Sequence, residues 1–110
     1  MAEFATDKLL VTARIMDLVE RLRKIDKFKL KGEYPDGNGG VTFMFSHHMT
    51  FLSWGEKITV RLIPYNDYQT IVDIVSECAM PTQIIDYGMN NKNLREILTV
   101  LLDGFLNQRL

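Results

Sequence analysis

Between Thr70 and Leu98 the chain passes through a strand, a break, a polar loop and a helix whose patterns do not overlap, and no other stretch constrains the fold as strongly. Thr70-Ile-Val-Asp-Ile-Val-Ser-Glu77 is short and rich in β-branched residues, Pro81 interrupts it, and Asp86-Tyr-Gly-Met-Asn-Asn-Lys-Asn93 is polar and turn-prone. Leu94, Ile97, Leu98, Leu101 and Phe105 then recur at helical spacing, which predicts a helix starting at Asn90 or Asn91, with Gly104 marking a fraying end. A strand and an amphipathic helix, each with one apolar side, must cover one another, so the fold class is α+β.

The rest of the chain fills in that layer. Lys27-Phe-Lys-Leu-Lys31 alternates charged and apolar residues as a half-buried strand does. Tyr34-Pro-Asp-Gly-Asn-Gly-Gly40 is a dense turn signal that reverses the chain into Val41-Thr-Phe-Met-Phe45. Lys57 to Ile63 is a further strand, closed by Pro64 and Asn66-Asp67. Four sequential strands with short links imply an antiparallel meander. Near the amino end Val11, Ile15, Leu18, Leu22 and Ile25 predict a helix from Thr6 or Asp7 to about Lys24, with Asp7 at its N-cap or in its first turn and Arg21, Arg23 and Lys24 at its carbonyl end. A strand at Leu9-Leu10-Val11, followed by a helix from about Thr12, is the alternative. The expected order is α-β-β-β-β-α in one domain of residues 1–110, with both helices on the face made by Phe28, Leu30, Val41, Phe43, Phe45, Ile58, Val60, Leu62, Val72 and Ile74.

Composition excludes some classes of partner. With 13 Lys plus Arg against 14 Asp plus Glu, the formal charge of −1 does not suit a dedicated nucleic-acid binder. Six of the basic residues cluster at Arg21, Arg23, Lys24, Lys27, Lys29 and Lys31, where solvated faces and helix-end complementarity account for them. No apolar run approaches the roughly 20 residues of a membrane span. The single cysteine, Cys78, has no intrachain partner, and the opening Met-Ala-Glu-Phe-Ala-Thr-Asp lacks the pattern of a secretory signal, so a reducing cytoplasm is the expected setting.

Two regions stand out as candidate sites. The sheet face away from the helices should carry Lys29, Lys31, Thr42, Met44, Thr59, Arg61, Ile63, Ile71, Asp73 and Val75, a mixture of core and surface character. Met44, Arg61, Ile63, Ile71, Asp73 and Val75 are the candidate interface, because contiguous apolar residues on an open face mark a contact. The second region joins Trp54 to the loop of Asp86, Tyr87, Asn90 and Lys92, polar enough to hold a small ligand, although Asx residues also serve simply to close turns. His47 and His48 are adjacent and would point to opposite faces, with no zinc-site spacing around them, so no metal and no cofactor is expected. No nucleophile, base and orienting group occur as a recognisable set, which argues against an enzyme.

The run Val72-Asp-Ile-Val-Ser-Glu-Cys, then Pro81-Thr-Gln-Ile-Ile-Asp-Tyr-Gly-Met-Asn-Asn-Lys-Asn-Leu-Arg-Glu-Ile-Leu98, resembles the carboxyl half of a bacterial family of small uncharacterised α+β domains. Such domains lead a strand ending in Ser into an Asp-aromatic-Gly-x-Asn loop and a final helix, and Ser53-Trp-Gly-Glu-Lys-Ile-Thr-Val60 is similar to them as well. The resemblance implies a prokaryotic α+β domain and brings no catalytic residues. The residues therefore point first to a non-catalytic module that binds a protein partner or a second copy through its helix-free face, and second to a small-ligand carrier or sensor near Trp54 and Asp86.

Overall fold

At the amino end, long-range pairing outcompetes the local helical pattern. In the computed structural model, which describes residues 4–47, 55–78 and 89–110, Phe4–Val11 forms strand β1. Ala5, Leu9 and Val11 are buried while Thr6 and Lys8 are exposed, a period of two. β1 runs antiparallel to β5 (Gln69–Cys78) in unbroken register from Phe4↔Glu77 to Val11↔Thr70. That ladder satisfies the backbone of the whole segment, which a weak local helix preference does not outweigh. Helix α1 follows only at Ile15–Arg23. Its N-cap residue is Arg14, so the expected cap Asp7 lies instead in β1, where its carboxylate meets the Arg109 guanidinium at 2.7 Å. The alternative with the strand first was thus the closer of the two readings.

The inner strands follow the apolar alternation. They are β2 (Lys29–Pro35), β3 (Val41–His47), β4 (Glu56–Asn66) and β5, each antiparallel to the next. The Asp36 carboxylate accepts from the backbone N–H groups of Asn38 at 2.7 Å and Gly40 at 3.0 Å, and Gly37 and Gly39 adopt positive φ, which closes the β2–β3 turn. Between β4 and β5, Asn66 Oδ1 accepts from the Tyr68 N–H at 3.0 Å.

Helix α2 (Met89–Leu102) ends at Gly104, whose φ of 80° turns the chain rather than letting it fray. The reversed chain forms a short strand, β6 (Asn107–Arg109), against β1. The sheet is therefore six-stranded and antiparallel, in the order β2-β3-β4-β5-β1-β6, and not the four-stranded meander expected. The element order is β-α-β-β-β-β-α-β.

Leu18, Val19 and Leu22 of α1 and Leu94, Ile97 and Leu101 of α2 are buried in one cluster with Leu9, Val11, Phe43, Phe45, Ile58, Val60, Leu62, Val72 and Ile74. Strand register puts all these strand residues on one face, so both helices cover the same side of the sheet. Leu30 departs from its expected core place. It sits on the edge strand beside a register shift between Leu30 and Gly32, and it stays exposed. No helix among the described residues is long and apolar enough to cross a membrane.

Candidate functional site

Register places the residues of the helix-free face in rows. One row runs Leu10, Ile71, Ile63 across β1, β5 and β4, and the next runs Lys8, Asp73, Arg61, Thr42 into β3. A third holds Thr6, Val75, Thr59 and Met44, and a fourth Phe4, Glu77, Lys57 and Ser46. Met44, Ile63, Ile71, Asp73 and Val75 are half-buried and Arg61 is exposed, so the six expected interface residues share one side. None of the described elements covers them. At the β2 edge the exposed Tyr34 lies across Gly32, where a Cβ would collide with the phenol ring.

The charges on this face are mostly unspent. Lys57 Nζ comes within 4.0 Å of Glu77 Oε1, a loose pair in which both side chains are about half exposed. The side chains of Lys8, Asp73 and Arg61 make no ion pair or hydrogen bond among the described residues, although they are lateral neighbours. Sequence reasoning missed Phe4, Thr6, Lys8 and Leu10 on this face because it favoured a helix from Thr6 or Asp7 and allowed a strand only at Leu9-Leu10-Val11 as the alternative. The signal was present in the alternation of Ala5, Asp7, Leu9 and Val11.

A second concentration of polar groups lies inside, where β3, β4 and β5 end near the start of α2. Glu56 has none of its side chain exposed, and its Oε1 is hydrogen-bonded to His47 Nδ1 at 2.8 Å and accepts from Asn93 Nδ2 at 2.8 Å. Ser76 Oγ donates to Asn90 Oδ1 at 2.9 Å, Asn90 Nδ2 reaches Cys78 Sγ at 3.6 Å, and Asn93 Nδ2 lies 3.5 Å from Ser76 Oγ. The His47 ring also packs on Phe28, centroids 5.3 Å apart. Asn93 Oδ1 is buried without a hydrogen-bond partner among the described residues.

Of the residues expected to form a ligand site, the structure describes two, Asn90 and Lys92. Asn90 is fully buried and bonded to Ser76 and Cys78 rather than open to a ligand. Lys92 is exposed, beside Lys27 and Arg95 in a shallow cleft that also holds the Lys27–Glu96 ion pair at 3.2 Å. Trp54, Asp86, Tyr87 and His48 lie outside the described residues. Glu56, Asn93 and Ser76 were not foreseen, since each looks like an ordinary surface residue until burial and register are known. Among the described residues no three His, Cys, Asp or Glu side chains converge as metal ligands would.

No family model, curated protein or solved structure matches the chain. Whatever is said of its role therefore rests on its own residues.

Proposed function

We propose that this protein is a non-catalytic docking module, in a prokaryotic cytoplasmic setting, whose helix-free sheet face takes the surface of another protein. One observation carries the reading: Lys8, Asp73 and Arg61 stand side by side with no ion pair or hydrogen bond of their side chains among the described residues, amid the half-buried Leu10, Ile63, Ile71, Val75 and Met44. Apolar side chains that the described elements leave half covered, threaded by charges that those elements do not pair, suit a contact made with something else. The polar groups that the fold does gather, around Glu56, are spent largely on one another.

The test compares the two faces of one strand. Ile71→Thr and Ile63→Thr keep a β-branched residue on the open face, whereas Val72→Thr puts a hydroxyl into the core. At low protein concentration the face variants should lose less than about 1 kcal/mol each and the core variant about 2 kcal/mol in chemical denaturation. Equal losses would mean that the face is covered within the chain, and the reading would be abandoned.

A second reading, a carrier or sensor of a small ligand, draws on the buried Asn93 Oδ1, which has no donor among the described residues. The network around it lies where segments 48–54 and 79–88, which hold Trp54, Asp86 and Tyr87, join the described strands and α2. A compound that donates to Asn93 should raise the melting temperature, and a broad thermal-shift screen without a stabilising hit counts against this reading.

A further inference from the structure

We infer that the occupant of the helix-free face is a second copy of this chain, related by a two-fold axis that runs parallel to the strands between β4 and β5. The inference rests on the docking reading and names its partner. On that face the register partners are Ile63↔Ile71, Arg61↔Asp73, Thr59↔Val75 and Lys57↔Glu77. A two-fold axis between two strands exchanges them, so each β4 residue comes to lie over its own β5 register partner in the other copy. Arg61 then faces Asp73 of the second copy, Lys57 faces Glu77, and Ile63 faces Ile71. An axis between β5 and β1 would also match Lys8 with Asp73, but it would set Phe4 on Glu77. Only the line between β4 and β5 satisfies both charged rows.

Shape and area agree with this arrangement. Facing sheets stack about 10 Å apart, so the opposed rows near the axis stay within side-chain reach. Five strands about 4.8 Å apart and about eight residues long give a footprint on the order of 600 Å² per copy before side-chain relief, near the roughly 800 Å² of a standard interface. Association through the sheet edges is disfavoured, because β2 carries lysines and a register shift and β6 is three residues long. The affinity comes from Ile63, Ile71, Val75, Leu10 and Met44, while the charge pairs select the register, since desolvation offsets most of their attraction.

Charge reversal with complementation tests it. Light scattering of the wild type is expected to show twice the chain mass at high concentration and one chain mass on dilution. Arg61→Asp alone and Asp73→Arg alone each place like charges across the axis twice per dimer, raising the dissociation constant about a hundredfold. Mixing the two variants restores the doubled mass, because each then meets opposite charge in the other. A contact within one chain cannot be rescued by mixing. Circular dichroism and the denaturation midpoint establish that both variants are folded. A wild type that stays at one chain mass at every concentration overturns the inference, as does a mixture of folded variants that remains monomeric. Neither result touches the docking reading, which stands or falls with the stability of Ile63→Thr and Ile71→Thr.

Discussion

Glu56 is buried with two polar partners, His47 Nδ1 and Asn93 Nδ2, converging on one of its oxygens. Removing the side chain takes a hydrogen-bond partner from each of them in a poorly hydrated place, so Glu56→Ala should cost about 3 kcal/mol, read from the denaturant midpoint at constant slope. Glu33 offers the opposite case. It accepts a two-pronged contact from Arg23 at 2.7 and 2.8 Å on the surface, and the hydrogen bond from Arg23, more than its charge, holds the Glu33 carboxyl below its usual range. A folded pKa below the unfolded one means that the contribution is present above the unfolded carboxylate pKa of about 4.3 and is lost as pH falls through the folded value. The stability difference between wild type and Glu33→Gln should therefore be small near neutrality and vanish in acid, as pH-dependent denaturation would show. Neither role was legible in the sequence. An acid next to Gly55, or one between Gly32 and Tyr34, carries no mark of burial or pairing until strand register is known.

At the scale of elements, α2 illustrates how one helix is finished by another. It has no basic residue in its own last turn, and Arg21 of α1 supplies one, donating to the carbonyls of Val100 and Leu101 at 3.3 Å and to that of Asp103. The Arg21 guanidinium also lies 4.2 Å from the centre of the Phe105 ring. Beyond that end, Gly104 turns the chain at a φ of 80° with open space around its Cα. Gly104→Ala should therefore cost about 1 kcal/mol through backbone conformation alone, lowering the melting temperature by a few degrees. The helix itself was readable from Leu94, Ile97 and Leu101, and the turn residues 36–40 and 66–67 marked where the inner strands reverse. β6 was not readable. Asn107, Gln108 and Arg109 are all exposed, and their strand exists only because β1 offers them backbone partners. Thr12 N–H donates to Leu106 O and Leu110 N–H to Lys8 O, both at 2.8 Å.

For the whole molecule, one core under two helices leaves one sheet face uncovered by the described elements. Phe43 and Phe45 stack at the centre of that core, rings 6.3 Å apart and fully buried. Phe43→Ala should cost about 3–5 kcal/mol, measured by denaturation, and should loosen α1 and the sheet together because both meet there. Hydrophobic spacing by itself determined the α+β class, the four inner strands, the carboxyl-terminal helix and the parity of the buried positions, since each signal repeats within a few residues along the chain. Only the tertiary structure decided that the amino end is a strand, that the sheet has six members, and that Glu56, His47, Asn90 and Asn93 meet. Those outcomes depend on backbone and side-chain partners remote in sequence, as with Asp7 and Arg109, 102 positions apart, and no local pattern encodes a partner so distant.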